Sequence, residues 1–250
     1  MSLADLYHRQ LAWRDWRTAF AALPPLEGAQ VLDLGCGPGD LAAELAARGA
    51  RVLGVDANEE LVEVARARGI PNAAFRAADL RSLEPLERAA DGIWCSFSAA
   101  YFVEFAPVLE RWRRLLRPGG WIALVEIDDL FAHEPVTART RERFASYAEE
   151  ARTAGRYDFH MGRTLDAHLS AAGFLVERRF ELADRELAFD GLAPPEVVDA
   201  WRARLERMRL LHSHCGAEYA SVRDDFLACL GRPDHRSAAR VIGRVAIAAP

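Results

Sequence analysis

The sequence predicts an α/β domain in which a mostly parallel sheet is covered by helices on both faces. Five short apolar runs carry that expectation, at 30–34, 51–56, 73–78, 92–96 and 121–127, each bounded by glycine, proline or polar residues. Amphipathic stretches of helical length separate them. A β-α-β-α series of this kind folds as a doubly wound parallel sheet.

The helices follow from their caps and faces. A segment over 3–22 with Trp13, Trp16 and Phe20 reads as helical and is broken by Pro24-Pro25. Leu41 and Leu45 share the inner face of the next helix, which Gly49 stops. Asn58 caps a third, with Glu59 and Glu60 in its first turn and Leu61, Val64 and Ala65 facing inward. A fourth runs over 105–116 and ends in the turn Arg117-Pro-Gly-Gly120, from which the fifth strand starts. Beyond it the pattern changes. A charged helix over 136–154 leads to a loop with Tyr157, Phe159 and His160, then a helix over 164–172 that stops at Gly173. Alternation over 175–189 predicts one or two strands. A helix over 195–211, with Val197, Val198, Trp201, Leu205 and Met208 at packing positions, precedes another over 218–230 and a last strand over 239–248. The whole reads as a single domain, 1–250. It divides into an N-terminal helical segment (1–25), a ligand-binding core (29–127), an accessory lid (130–162 and 190–235) and the last strand (239–249).

The composition, 51% hydrophobic and 28% charged over 250 residues, is that of an ordinary globular chain. No apolar run approaches the roughly 20 residues that cross a bilayer. The first residues are polar or acidic where a secretory signal would be apolar, so a cytoplasmic protein with no membrane partner is expected. A formal net charge of −5 gives no global attraction to nucleic acid. All 32 basic residues are arginine, a compositional bias, and Arg111, Arg113, Arg114 and Arg117 fall where positive charge complements a helix C-terminus. Cys36, Cys95, Cys215 and Cys229 are widely spaced, which fits a reducing compartment. The cluster His212-Ser-His214-Cys215 lacks a second ligand pair at zinc spacing, and no metal site is expected.

The chemistry concentrates at the end of the first strand. Gly35, Gly37 and Gly39 lie at a strand-to-helix junction, where a backbone without Cβ atoms can approach a ligand closely. Asp56 follows the second strand about twenty residues on, placed to accept ribose hydroxyls, and Asp79 follows the third, placed to accept from an adenine amine. The glycine spacing lacks the third glycine of the dinucleotide fingerprint. Asp33 and Asp40 also put two carboxylates around the turn, which would oppose a pyrophosphate but suit the ammonium and sulfonium of S-adenosylmethionine.

The landmarks Val31-Leu-Asp-Leu-Gly-Cys-Gly-Pro-Gly39, Gly54-Val-Asp56, Ala78-Asp79-Leu80, Asp91-Gly-Ile-Trp-Cys95 and Leu116-Arg-Pro-Gly-Gly-Trp121 run in order over about 100 residues. In this the chain resembles the class I S-adenosylmethionine-dependent methyltransferases of small-molecule type. The resemblance implies a Rossmann-like seven-stranded sheet whose seventh strand enters antiparallel beside the fifth. It implies that Asp33 and Gly35, Cys36, Gly37 and Gly39 hold the methionine moiety and that Asp56 takes the ribose. Ala57 or Asn58 would lie beside the adenine, Asp79 and Leu80 would meet its amine and ring, and Ser96 and Phe97 would border the transferred methyl.

The acceptor is less legible. The stretch Ser96-Phe-Ser-Ala-Ala-Tyr101 lacks the Asp/Asn-Pro-Pro-aromatic tetrapeptide of many nitrogen-methylating enzymes, and the accessory regions fall near the strands' C-terminal ends, where ligands bind. A small organic acceptor is expected, methylated on oxygen, with nitrogen and carbon as the alternatives, with His133 and His160 as candidate bases and Tyr101 as an orienting group. The competing readings are a nicotinamide-dependent oxidoreductase and a non-catalytic adenosylmethionine-binding protein.

Overall fold

The computed structural model describes residues 2–83 and 89–249; Met1 and Pro250, the ends of the domain expected from the sequence, lie outside them, as do residues 84–88 of its core. In chain order the elements are α1 (Leu3–Leu11), α2 (Trp16–Ala21), β1 (Gln30–Leu34), α3 (Asp40–Ala47), β2 (Arg51–Asp56), α4 (Glu59–Ala67), β3 (Ala73–Ala77) and β4 (Ala90–Ser96). There follow α5 (Phe105–Arg113), β5 (Leu116–Asp128), β6 (His133–Glu134), α6 (Ala138–Thr153), α7 (Met161–Ala171) and β7 (Phe174–Leu182). The chain closes with α8 (Pro195–Arg207), α9 (Arg209–Cys215), α10 (Tyr219–Leu230), β8 (Arg236–Ser237) and β9 (Arg240–Ala248).

Among the described residues, seven strands form one sheet in the order β3-β2-β1-β4-β5-β9-β7. The first five are parallel, and β9 inserts antiparallel between β5 and β7. Its apolar runs are continuous because both faces are covered. Trp121, Ala123, Val125 and Ile127 of β5 enter one core, while Ile122 and Leu124 enter the other. The order reverses between β1 and β4, and a crevice opens there beyond the strands' C-terminal ends.

Four details depart from the sequence reading. The segment expected to be a turn at Arg117–Gly120 is part of β5: the helix stops at Arg113, and the strand absorbs the extra residues as an irregularity between the Ala90 and Gly92 pairings. Gly119, at φ +73°, supplies the backbone conformation this needs. The helix expected over 195–211 is split at Met208, whose ψ of 67° leaves the helical region, so α9 sets off separately from α8. Both halves keep apolar inner faces (Trp201 and Leu205, then Leu211), which is why the periodicity hides the break. The segment over 3–22 is two helices, the first closed at its start by a reciprocal Ser2–Asp5 capping box. After β7 the chain forms only isolated bridges, Asp184 with Arg14 and with Ala188.

Candidate active site

The glycine turn is tied to the second strand. The N–H groups of Gly35 and Cys36 donate to Val55 O at 2.7 and 3.1 Å. A Cβ on Gly35 would fall 2.0 Å from Ser98 Oγ, and Gly35 has φ +81°, so glycine is required on both counts. Asp56 is part of the same scaffold: its Oδ2 accepts from Gly37 N and its Oδ1 from Asn58 N, both at 2.8 Å. Each oxygen keeps a further lone pair for a ligand hydroxyl.

A cleft of about 600 Å³ opens over this turn, a size ordinary for a small-molecule site. Gly35, Cys36, Gly37, Asp56, Ala57, Asn58, Asp79, Leu80, Ser96 and Phe97 line it, ten of the twelve residues named from the sequence. Asp33 and Gly39 do not. Gly39 packs against Phe75, where a Cβ would come within 2.9 Å of the ring, and leads into α3. Asp33 is buried under the turn, with Oδ2 lacking a hydrogen-bond partner. Burial, reinforced by the Asp56 charge, pushes its pKa up to about 8. Asp40 does reach the cleft, but Arg68 at 2.7 Å and His8 Nδ1 at 3.1 Å hold its Oδ1. The electrostatic argument from two carboxylates is therefore corrected: one is paired, and the other is buried, where the charged form is disfavoured.

Phe97 marks the far side of the turn. It has φ +54°, a left-handed conformation that a bulky residue adopts at a cost of order 1–3 kcal/mol. The strand holds it there through Phe97 N donating to Val125 O at 2.8 Å. Past Phe97 the cleft continues between Tyr7 and Gln10 of α1, Tyr101, Leu130, Tyr157, Leu187 and Arg204 of α8. Tyr101 meets Tyr157 edge-on, with ring centroids 4.9 Å apart. Burial raises the pKa of Tyr7, Tyr101 and Tyr157, so these phenols keep their protons and act as donors. Behind them lies a buried ionic cluster. Glu186 accepts from Arg14 (2.9 Å), Arg204 (2.6 Å) and Gln10 (3.1 Å), and Asp184 accepts from Arg14 Nε at 2.7 Å.

Residues 31–120 match the methyltransferase domain family. The chain is 33% identical over 191 residues to a trans-aconitate 2-methyltransferase of Methylobacterium nodulans, an alignment that covers 67% of each chain. The chain belongs to the class I S-adenosylmethionine-dependent methyltransferases. It is also 33% identical over 125 residues to a ubiquinone biosynthesis O-methyltransferase of Paracidovorax citrulli, covering 48% of this chain and 50% of that one. The chain thus spans about half the length of several curated relatives it matches. Among solved structures, the YcgJ protein of Bacillus subtilis superposes with a TM-score of 0.61 at 19% identity, over 97% of this chain and 99% of that one, a likeness of fold.

Family membership sets aside the nicotinamide reading of the turn. The methyltransferase cofactor, S-adenosylmethionine, fits what surrounds it: a glycine turn on the cleft floor, an Asp56 carboxylate with lone pairs to spare and a buried Asp33 oxygen without a partner beneath the turn.

The candidate bases are placed less favourably, and neither histidine lines the cleft. His133 is 1% exposed, with Nδ1 2.9 Å from His235 Nε2; burial and the second imidazole push its pKa down to about 3. His160 sits at the start of α7 beside Asp128, which raises its pKa. Of the three acceptor-site residues expected from the sequence, only Tyr101 is on the cleft wall. His214 pairs with Glu150, and no group of three metal-ligating side chains occurs among the described residues. The sequence reading missed Tyr7, Gln10, Arg14, Tyr157, Glu186 and Arg204. For Arg204 a signal existed: a charge falls on the same helical face as Val197, Trp201 and Met208.

Proposed function

We propose that this methyltransferase transfers the methyl group of S-adenosylmethionine to an oxygen atom of a small organic acceptor bound beyond Phe97. The observation that carries this reading is the acceptor end of the cleft, walled by α1, the Tyr101 turn, the Tyr157 loop and α8. Both accessory regions expected to form a lid contribute to it, 130–162 through Leu130 and Tyr157 and 190–235 through Arg204. The chain is read as one domain, 1–250, with these regions as its lid. When bound, S-adenosylmethionine supplies a sulfonium-activated methyl carbon, to which an in-line oxygen bonds as the carbon–sulfur bond breaks.

The protein's part is orientation, worth several orders of magnitude for a displacement of this kind. The strained Phe97 backbone and its ring, and the Tyr101–Tyr157 pair, form parts of the wall. No free base faces this end among the described residues: the phenols stay protonated, and Asp184 and Glu186 are held by arginines. An acceptor oxygen already ionised near neutral pH needs no base, which favours an acid or an acidic phenol over an alcohol. The names of the two relatives, a trans-aconitate 2-methyltransferase and an O-methyltransferase of ubiquinone biosynthesis, agree with a small acceptor.

We also place the protein in the cytoplasm, with neither nucleic acid nor membrane as partner. Its four cysteines are free and buried, and no helix among the described residues is long and apolar enough to cross a membrane. The test of the reaction is transfer from S-adenosylmethionine labelled in its methyl group. Label in an ester or ether methyl is expected; label on nitrogen or carbon overturns the choice of oxygen.

A further inference from the structure

We propose that Arg204 is the specificity-determining residue of the acceptor site and that it selects a small carboxylic acid by binding its carboxylate. This rests on the reading of the cleft beyond Phe97 as the acceptor site.

Arg204 sits on the inner face of α8, between Trp201 and Leu205, both 0% exposed. Its own side chain retains 23% exposure, and the space it faces is the cleft. A buried helix face therefore delivers a guanidinium to the cavity rather than to bulk water. The group is held from behind: Nη2 donates to Glu186 Oε1 at 2.6 Å, and the guanidinium carbon lies 5.2 Å from the Trp201 ring centroid. Its Nε is buried with no hydrogen-bond partner. A guanidinium has five N–H donors in a rigid fork that matches a carboxylate; here one is held by Glu186 and the buried Nε is out of reach, so its Nη groups are what a ligand in the cleft can meet.

The surroundings sort possible ligands. Arg14 is the second guanidinium of the cluster, bound by both Asp184 and Glu186, with its carbon 4.7 Å from the Phe97 ring centroid. Both carboxylates of the cluster are thus engaged by arginines and leave no acceptor for a cationic ligand. A protonated amine would meet guanidinium cations, which repel it, and phenols that carry no negative charge to offset them. A neutral acceptor would forgo the charge-assisted part of the pairing with the guanidinium. A carboxylate gains it, and Tyr157 and Tyr101 on the cleft wall can donate as well. The cluster is balanced, two arginines against two acids, so it stands without a ligand. Arg14 also lines the cleft, but its side chain is 6% exposed against 23% for Arg204, so Arg204 is the guanidinium more open to a ligand, and a single fork suits a carboxylate better than a phosphate dianion.

The test uses the whole protein with S-adenosylmethionine. Turnover is measured with benzoate, hexanoate, succinate and propane-1,2,3-tricarboxylate, each beside its carboxamide, its amine and its phosphate-ester counterparts. Transfer restricted to one or more acids is expected. In R204Q the KM for that acid should rise by about tenfold or more, with a smaller change in kcat and an unchanged dissociation constant for S-adenosylhomocysteine. R204K should recover part of the loss, because charge returns without the fork. Since R204Q removes a partner of buried Glu186, the double variant E186Q/R204Q checks folding: it should melt near the wild type and still bind acids poorly. Amides, amines or phosphate esters turned over better than acids, no acid bound or turned over, or an unchanged acid KM in R204Q would each overturn the proposal. An acid methylated on carbon, with R204Q raising its KM, would sink the oxygen reading and leave the role of Arg204 standing.

Discussion

Replacing Asp33 by asparagine keeps the volume of a side chain buried beneath the glycine turn and removes its capacity for charge. In the folded protein this carboxyl titrates at about 8, against an ordinary value of 3.8, because burial and the Asp56 charge disfavour the ionised form. The unfolded chain gives up the proton near pH 4. Between those limits the native state binds a proton that the unfolded state does not. Stability associated with Asp33 is therefore full below about pH 4, declines as pH rises, and is lost above about pH 8. At about 1.4 kcal/mol for each pH unit, the interval from 3.8 to about 8 sets a ceiling of roughly 6 kcal/mol. Relaxation around the charge brings the observable difference to about 2–4 kcal/mol. Urea unfolding of the ligand-free protein should give D33N and wild type equal stability near pH 4, and an advantage for D33N of that size near pH 9. A ligand cation over the turn should reverse the preference. Binding of S-adenosylmethionine near pH 7 should expel a proton from the wild type, visible in calorimetry as a dependence on buffer ionisation enthalpy, and none in D33N. If D33N is no more stable than wild type at pH 9, the carboxyl is not an uncompensated charge there, and the reasoning fails.

Three further outcomes follow from the same geometry. Asp56→Ala should weaken S-adenosylhomocysteine binding by about 1–3 kcal/mol, measured by calorimetry, since it removes the proposed ribose acceptor and the anchor of Gly37 N and Asn58 N; an unchanged dissociation constant would rule out the ribose assignment. Gly35→Ala should destabilise the fold and abolish cofactor binding through the clash with Ser98 Oγ, and Ser98→Gly in the same chain should recover part of the melting temperature, the positive φ remaining strained. His133→Ala should leave the pH profile of turnover unchanged while lowering stability by about 2 kcal/mol near pH 7 through loss of packing. Because the His133 pKa is depressed to about 3, the wild type loses stability as pH falls below about 6.5, and the variant should lose less of it; a shifted kcat profile would return His133 to the reaction.

What was legible in the sequence and what was not divide along one physical line. β1, β2 and β4 are buried on both faces, so their apolar runs are contiguous, and the turns between strand and helix must carry glycines and caps within a few residues. The cofactor half of the site is assembled from such turns: Gly35 to Gly37 follow β1, Asp56 follows β2, and Ser96 and Phe97 close β4. Each is local, so spacing alone locates it. Even there the charges misled, because whether Asp40 is free depends on Arg68, a partner 28 positions away. The acceptor half is joined over far longer distances. Gln10 reaches Glu186 across 176 positions and Arg14 reaches Asp184 across 170, and no periodicity in either segment announces the other. A buried ion pair is costly unless both partners arrive together. A single arginine within the apolar face of α8 is thus the sequence-level trace of a carboxylate elsewhere in the chain.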